Sequence, residues 1–208
     1  MAPSSARPYR GVQPADRQAE RRRRLLDAGL SILGSETGPD VLTVRGVCRA
    51  AGLSARYFYE SFSDRDDLVS AIFDWVIADL AATTQAAVAA ARQPQQARAG
   101  MANIVRSIAG DPRVGRLLFS TKLTDAVVAR KRGESGALLA MLFGQHMGQA
   151  LRLPQDDHLK AASHFAVGGV GQTLSAWLAG QMALTTDEVI EQLASLLDRI
   201  GDPTLYRS

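Results

Sequence analysis

The sequence predicts an all-α protein of about nine helices. Apolar residues recur at three- and four-residue spacing along most of the chain, as one face of a 3.6-residue helix requires. No stretch alternates with period two for long, and no hairpin signal occurs. Pairs of Gly and Pro punctuate the helical pattern at intervals.

The elements follow in chain order. Residues 1–16 hold three Pro, two Ser and a Gly without periodicity, and read as a flexible basic arm carrying Arg7 and Arg10. A first helix starts near Arg17, sets Leu25, Leu26, Gly29, Ile32 and Leu33 on one side, and stops at Gly38-Pro39. Thr43 is a good N-cap for a second helix, about Val44 to Ala51, which Gly52 interrupts. Ser54 caps a third, about Ala55 to Ser61, with Phe58 and Phe62 four apart on its core face. Ser63 or Asp64 caps a long fourth helix, about Arg65 to Arg92. Asp64, Asp66 and Asp67 lie at its start, where the helix dipole favours acids. Gln93-Pro94-Gln95, Asp111-Pro112 and Leu153-Pro154 separate the helices that follow. The last two span about Asp156–Met182 and Thr186–Ile200, and Gly201-Asp202-Pro203 closes the pattern.

An apolar share of 46% and a charged share of 22% are those of an ordinary globular chain, and 208 residues suffice for a real core. Cys48 is the only cysteine, so no internal disulfide forms, which suits a reducing compartment. The first residues lack the apolar run of a signal peptide, and no stretch reaches the ~18 apolar residues of a membrane span. A cytoplasmic protein with no membrane partner is expected. Charge is distributed unevenly. Residues 1–65 carry eleven Arg against seven acids, net +4, whereas the remainder is net −1. A basic excess at one end suits a phosphate backbone, and equally a solubilising tail.

No residue set supports catalysis, a cofactor or a metal. Neither GxxxxGK[ST] nor GxGxxG occurs, and there is no Gly-x-Ser-x-Gly elbow. His146, His158 and His164 lack zinc spacing. Gly168-Gly169-Val170-Gly171 lies in an apolar helical stretch, where small residues permit close helix packing.

Two short helices around Ala51-Gly52-Leu53 form a helix-turn-helix pattern. In that geometry the second helix enters the major groove and the first crosses the backbone. Gly52 supplies a turn conformation that a Cβ would oppose.

These residues resemble the TetR family of transcriptional regulators. The resemblance is ordered and correctly spaced over roughly residues 20–70. It runs through Leu25-Leu26-Asp27-Ala28-Gly29-Leu30, Gly38 to Arg45, Ala50-Ala51-Gly52-Leu53-Ser54, Tyr57-Phe58-Tyr59-Glu60-Ser61-Phe62 and Asp64-Arg65-Asp66-Asp67-Leu68. The stretch Gly168 to Gly180 is similar, less specifically, to the family's penultimate helix. The resemblance implies a DNA-binding domain over residues 17–64 and a ligand-binding and dimerisation domain over 65–208. It implies phosphate contacts from Thr43 and Tyr59, and from Arg65 where the family usually has Lys. Ser54, Ala55, Arg56 and Tyr57 fall at the start of the reading helix. Arg56 is the candidate for a bidentate guanine contact, and Arg45 for base or phosphate. Arg21 to Arg24 form a charge run that suits a solvated face or phosphate contact. Two residues depart from the pattern. Gly46 sits inside a helix at a cost of roughly 0.8–1 kcal/mol against Ala. Glu60 stands near the phosphates where Tyr is common, and either faces away or repels them.

The resemblance further implies an effector pocket among the fourth to eighth helices. Its candidate lining is Trp75, Met101, Ile104, Ile108, Phe119, Met141, Phe143, Phe165 and Trp177, with His146 and His164 as polar groups. Such side chains suit a hydrophobic or aromatic effector. The last two helices would pair about a two-fold axis through Phe165, Gly169, Gln172, Leu193 and Leu197. A homodimer would set two reading helices in successive major grooves of a palindromic operator, ~34–36 Å apart. Repression is the usual mode of the family. The alternative is an all-helical adaptor with a degenerate DNA reader.

Overall fold

The computed structural model describes residues 14–35, 42–152, 154 and 156–202. Among these the chain is all-α, with nine α-helices and one short 3-10 turn. They are α1 (Pro14–Leu33), α2 (Val44–Ala51), α3 (Ala55–Tyr59), α4 (Arg65–Ala90), α5 (Gln96–Gly110), α6 (Pro112–Phe119), α7 (Ala126–Leu151), α8 (Asp157–Leu178) and α9 (Thr186–Ile200). The 3-10 turn spans Gln93–Gln95. Arg7 and Arg10 of the expected arm and the Gly38-Pro39 stop lie outside the described residues.

Local chemistry accounts for most boundaries. The first helix starts at Pro14, three residues before the expected Arg17, because proline's fixed φ suits the opening position of a helix. Residues 14–16 are therefore helical rather than part of an arm. Asp64 caps α4 by accepting from the Asp67 amide at 2.9 Å, and Asp67 returns the contact by accepting from the Ser63 amide at 2.9 Å. Thr185 and Glu188 form a reciprocal capping box at α9. Helix α8 ends at Leu178 rather than Met182, since Gly180 takes a left-handed φ of 73°.

Two apolar clusters hold the molecule. The first joins α1, α2 and α3 to the N-terminal half of α4, through Leu25, Leu30, Val47, Phe58, Phe62, Leu68, Ile72 and Phe73, and continues into Leu117, Leu123 and Val128. Phe58 is fully buried, so its truncation to Ala would cost ~3–5 kcal/mol. This cluster crosses residue 64 without a break. The second joins α5, α8 and α9 through Met101, Val105, Ile108, Leu174, Ile190 and Leu193. Val114 and Phe119 of α6 pack against both clusters. Helix α6 is thus the shared beam between them.

Polar ties reinforce that beam. Arg113 reaches back to α1, donating to Asp27 at 3.1 Å and Ser31 at 2.7 Å. Arg116 donates to the Gly34 carbonyl at the end of α1. A Cβ on Gly34 would lie 2.7 Å from the Arg113 Cα, so only glycine permits this approach. At the other end of α6, Arg132 donates to the Arg116, Leu117 and Ser120 carbonyls, at 2.6–3.1 Å. Among the described residues, α4 alone is long and apolar enough by composition to cross a membrane. It carries Asp74 and Asp79, and Leu68, Val69, Ile72, Phe73 and Val76 of its first half are buried in the first cluster.

Candidate nucleic-acid interface

The interface is built on a turn. Thr43 opens α2, its hydroxyl accepting from the Gly46 amide at 3.1 Å. A Cβ on Gly46 would come to 3.0 Å of that hydroxyl, which offsets part of the propensity cost of glycine there. Gly52 ends α2 with φ 62° and ψ 38°, the left-handed conformation that releases the chain into α3. The Leu53 amide returns to the Cys48 carbonyl at 2.9 Å. Cys48 lies on the buried face of α2, and burial pushes its thiol above the ordinary value.

Helix α3 shows two faces. Phe58 is buried, edge-on to Tyr59 at 5.2 Å and tilted against Phe62 at 5.7 Å. Opposite, Ser54, Ala55 and Arg56 are exposed, Tyr57 is half-buried, and Tyr59 is 62% exposed. Thr43 and Arg45 are exposed on α2. These residues share one side of the domain because a single turn separates two helices whose apolar faces meet the same core. The Ser54 side chain makes no capping bond, contrary to expectation. Helix α3 ends at Tyr59, and Ser61 already belongs to the following turn.

The arginine run of α1 fastens the reader. The Arg21 guanidinium lies over the Tyr57 ring at 4.5 Å, and that of Arg22 over Phe62 at 4.9 Å. Arg24 donates to the Ala51 carbonyl at the turn. Glu60 is no bare anion. Its carboxylate accepts from Arg56 Nε at 3.2 Å and pairs with Arg21 at 3.5 Å.

Arg65 has partners within the protein. Its guanidinium pairs with Asp66 and Asp125 and donates to the Leu42 carbonyl at 3.2 Å. Burial opposes its charge, but the two carboxylates outweigh that, and its proton is held above the ordinary arginine range. The cation is held by these carboxylates and ties the start of α4 to the N-terminus of α7, with its side chain 33% exposed. Asp125 also caps α7, accepting from the Val127 and Val128 amides at 2.9 and 3.1 Å. Burial raises that carboxyl, yet Arg65 and the amides prevail and hold it below its usual range.

The expected pocket lining does not converge. Met101 and Ile108 are buried in the second cluster, with Ile104, Phe119 and Trp177 packed on it. Trp75 belongs to the first cluster. Met141 is 52% and Phe165 73% exposed, His146 and His164 are exposed, and Phe143 is half-buried. None of these last five belongs to either apolar cluster. A shallow groove of about 420 Å³ lies elsewhere, between the start of α5 and α9, lined mainly by polar residues such as Arg98, Glu191, Asp198 and Arg199. The expected two-fold contact also changes. Leu193 is buried and Leu197 packed in the protomer's own core, because α9 spends its apolar stripe on α5. Phe165, Gly169 and Gln172 remain exposed on α8.

The ties from Arg21, Arg113 and Asp125 escaped sequence reasoning. Their partners lie tens of residues away, and no local pattern marks them. Glu60 was the one readable signal, as an i, i+4 partner of Arg56.

Residues 25–72 match the family model for bacterial regulatory proteins of the tetR family. No curated protein matches the chain in sequence. Among solved structures, a TetR-family transcriptional regulator from Syntrophomonas wolfei is similar at TM-score 0.72 and 14% identity, covering 88% of this chain and 95% of its own. The fatty acid degradation regulator FadR of Bacillus halodurans is similar at TM-score 0.68 and 15% identity, covering 84% and 96%. FadR of Bacillus subtilis, solved with stearoyl-CoA, is similar at TM-score 0.66 and 14% identity, also covering 84% and 96%.

Proposed function

We infer that this chain, which belongs to the TetR family of transcriptional regulators by its N-terminal domain, binds duplex DNA as a cytoplasmic homodimer and represses transcription. The observation that carries this reading is the Gly52 turn, which leads into a helix with Ala55, Arg56 and Tyr59 exposed, Tyr57 half-buried beside them and Phe58 sealed in the core. A basic N-terminal third supplies the field that draws in phosphate. Residues 17–64 act as the reader and 65–208 as the sensing and pairing body. Thr43, Arg45 and Tyr59 engage phosphate and Arg56 reads a base edge. The molecule needs neither cofactor nor catalysis.

Pairing falls to the outward face of α8, through Phe165, Gly169 and Gln172. A two-fold contact there sets the two α3 helices on a palindromic operator. The effector is a molecule with a substantial apolar part, taken up around Met101, Ile104, Phe119 and Trp177 where α5, α6 and α8 meet. The stearoyl-CoA of the Bacillus subtilis structure, on a similar fold, supports that class. Effector binding releases DNA only through unequal affinity for two reader spacings. Helix α6, tied to α1 by Arg113 and Arg116, carries the change.

Selection from a random duplex library by the purified protein, at two salt concentrations, tests the reading. A recovered palindrome with spaced half-sites is expected. Sequence-blind binding that vanishes with salt would overturn it in favour of the adaptor.

A further inference from the structure

Glu60 sits at the C-terminal end of α3, beside the exposed reading face. An acid there should repel phosphate, yet its carboxylate lies between two guanidiniums. Arg21 approaches Oε2 at 3.5 Å, and Arg56 Nε donates to Oε1 at 3.2 Å. An exposed i, i+4 pair alone barely biases a side chain that is 85% exposed, as Arg56 is. Here the carboxylate is placed from the other side. Arg21 is only 25% exposed and stands 4.5 Å over the Tyr57 ring, so it fixes where the Glu60 carboxylate stands. The chain of contacts runs from Tyr57 through Arg21 and Glu60 to Arg56.

The contact geometry matters for recognition. Glu60 takes the Nε–H of Arg56 and leaves both terminal Nη groups without a hydrogen-bond partner among the described residues. Two parallel N–H donors on one planar fork match the O6 and N7 acceptors of guanine. The same carboxylate discourages Arg56 and Arg21 from turning to phosphate, since a phosphate oxygen would have to approach an anion.

Resting on the DNA-reading function above, we propose that Glu60 is a specificity-determining positioning residue. It buttresses Arg56 for a guanine edge and trades sequence-blind phosphate affinity for base discrimination. The site this implies contains a guanine in each half-site at the place Arg56 reaches.

The test uses the duplex that the wild-type protein selects, and a scrambled duplex of equal length. Wild type, Glu60→Ala, Glu60→Gln and Arg56→Ala are titrated on both, with folding checked by circular dichroism. Glu60→Ala should bind the scrambled duplex several-fold more tightly. Its log–log salt slope should steepen by about one to two units as freed arginines take phosphates. Its ratio between selected and scrambled duplex should fall about tenfold, and the base that relaxes in a repeat selection should be the one that relaxes in Arg56→Ala. Glu60→Gln keeps an acceptor for Nε without the charge. It should gain scrambled-duplex affinity while keeping more of the ratio than Glu60→Ala. A Glu60→Ala protein with the full wild-type ratio would overturn the assignment alone. A wild type that selects no sequence would overturn the DNA-reading function together with it.

Discussion

Gly34→Ala adds one methyl group where α1 meets α6. The new Cβ would lie 2.7 Å from both Cα and Cβ of Arg113 and 2.9 Å from its carbonyl oxygen. Carbon atoms pack at about 3.5–4.0 Å, so α1 and α6 must part by roughly 1 Å. The obstacle is backbone, which cannot swing aside like a side-chain tip. Separation also strains the Arg116 bond to the Gly34 carbonyl and the Arg113 bonds to Asp27 and Ser31. Overpacking of this kind costs ~1–3 kcal/mol. For a chain of this size each kcal/mol lowers Tm by about 2–4 °C, so a fall of roughly 4–8 °C is expected for the middle of that range. Gly133→Ala is the control. Gly133 lies on the exposed part of α7, where a Cβ meets nothing within 4 Å. There the same change should stabilise by ~0.5–1 kcal/mol, through propensity alone. Thermal melts of the two variants beside wild type decide it. A Gly34→Ala Tm equal to or above wild type would refute the close approach on which the α1–α6 link depends.

Further outcomes follow from single contacts. Thr43→Ala should lose ~1 kcal/mol in urea unfolding, because the Gly46 amide loses its acceptor; an unchanged midpoint would remove Thr43 as the cap of α2. Asp125 and Asp111 are both held below the ordinary 3.8, so their folded-state values are depressed. Their contribution is complete above that value and is lost as pH falls through the lower folded-state values. Urea midpoints should therefore drop on acidification below about pH 4, and Asp125→Asn should flatten that drop. A variant as acid-sensitive as wild type would discount the Arg65–Asp125 tie. Cys48 is 7% exposed with its thiol raised by burial, so thiol reagents at neutral pH should label it only as fast as the domain opens. Rapid stoichiometric labelling of the folded protein would contradict its placement.

The sequence was most legible where the physics is local. Helix α2 runs over Val44–Ala51, as Thr43 and Gly52 at its two ends require. Helix α9 begins where its capping box stands. Phe58 and Phe62 are both buried as their spacing suggests, although Phe62 lies beyond the end of α3. Side chains that choose partners across the fold were not legible. The resemblance gives Arg65 a phosphate role, but nothing in its local sequence announces its pairing with Asp125, sixty residues on. Leu193 reads as an outward apolar residue until α5 covers it. Periodicity tells that a face is apolar and does not tell which surface meets it.

The most direct test sets wild type beside an Arg56→Ala, Tyr59→Phe double variant, both folded by circular dichroism, on the wild-type-selected duplex. Fluorescence anisotropy at two salt concentrations should show tight, sequence-specific binding by wild type. The double variant should retain only sequence-blind binding that fades with salt. Equal, sequence-specific binding by both proteins would contradict the claim that the exposed face of α3 is the reader.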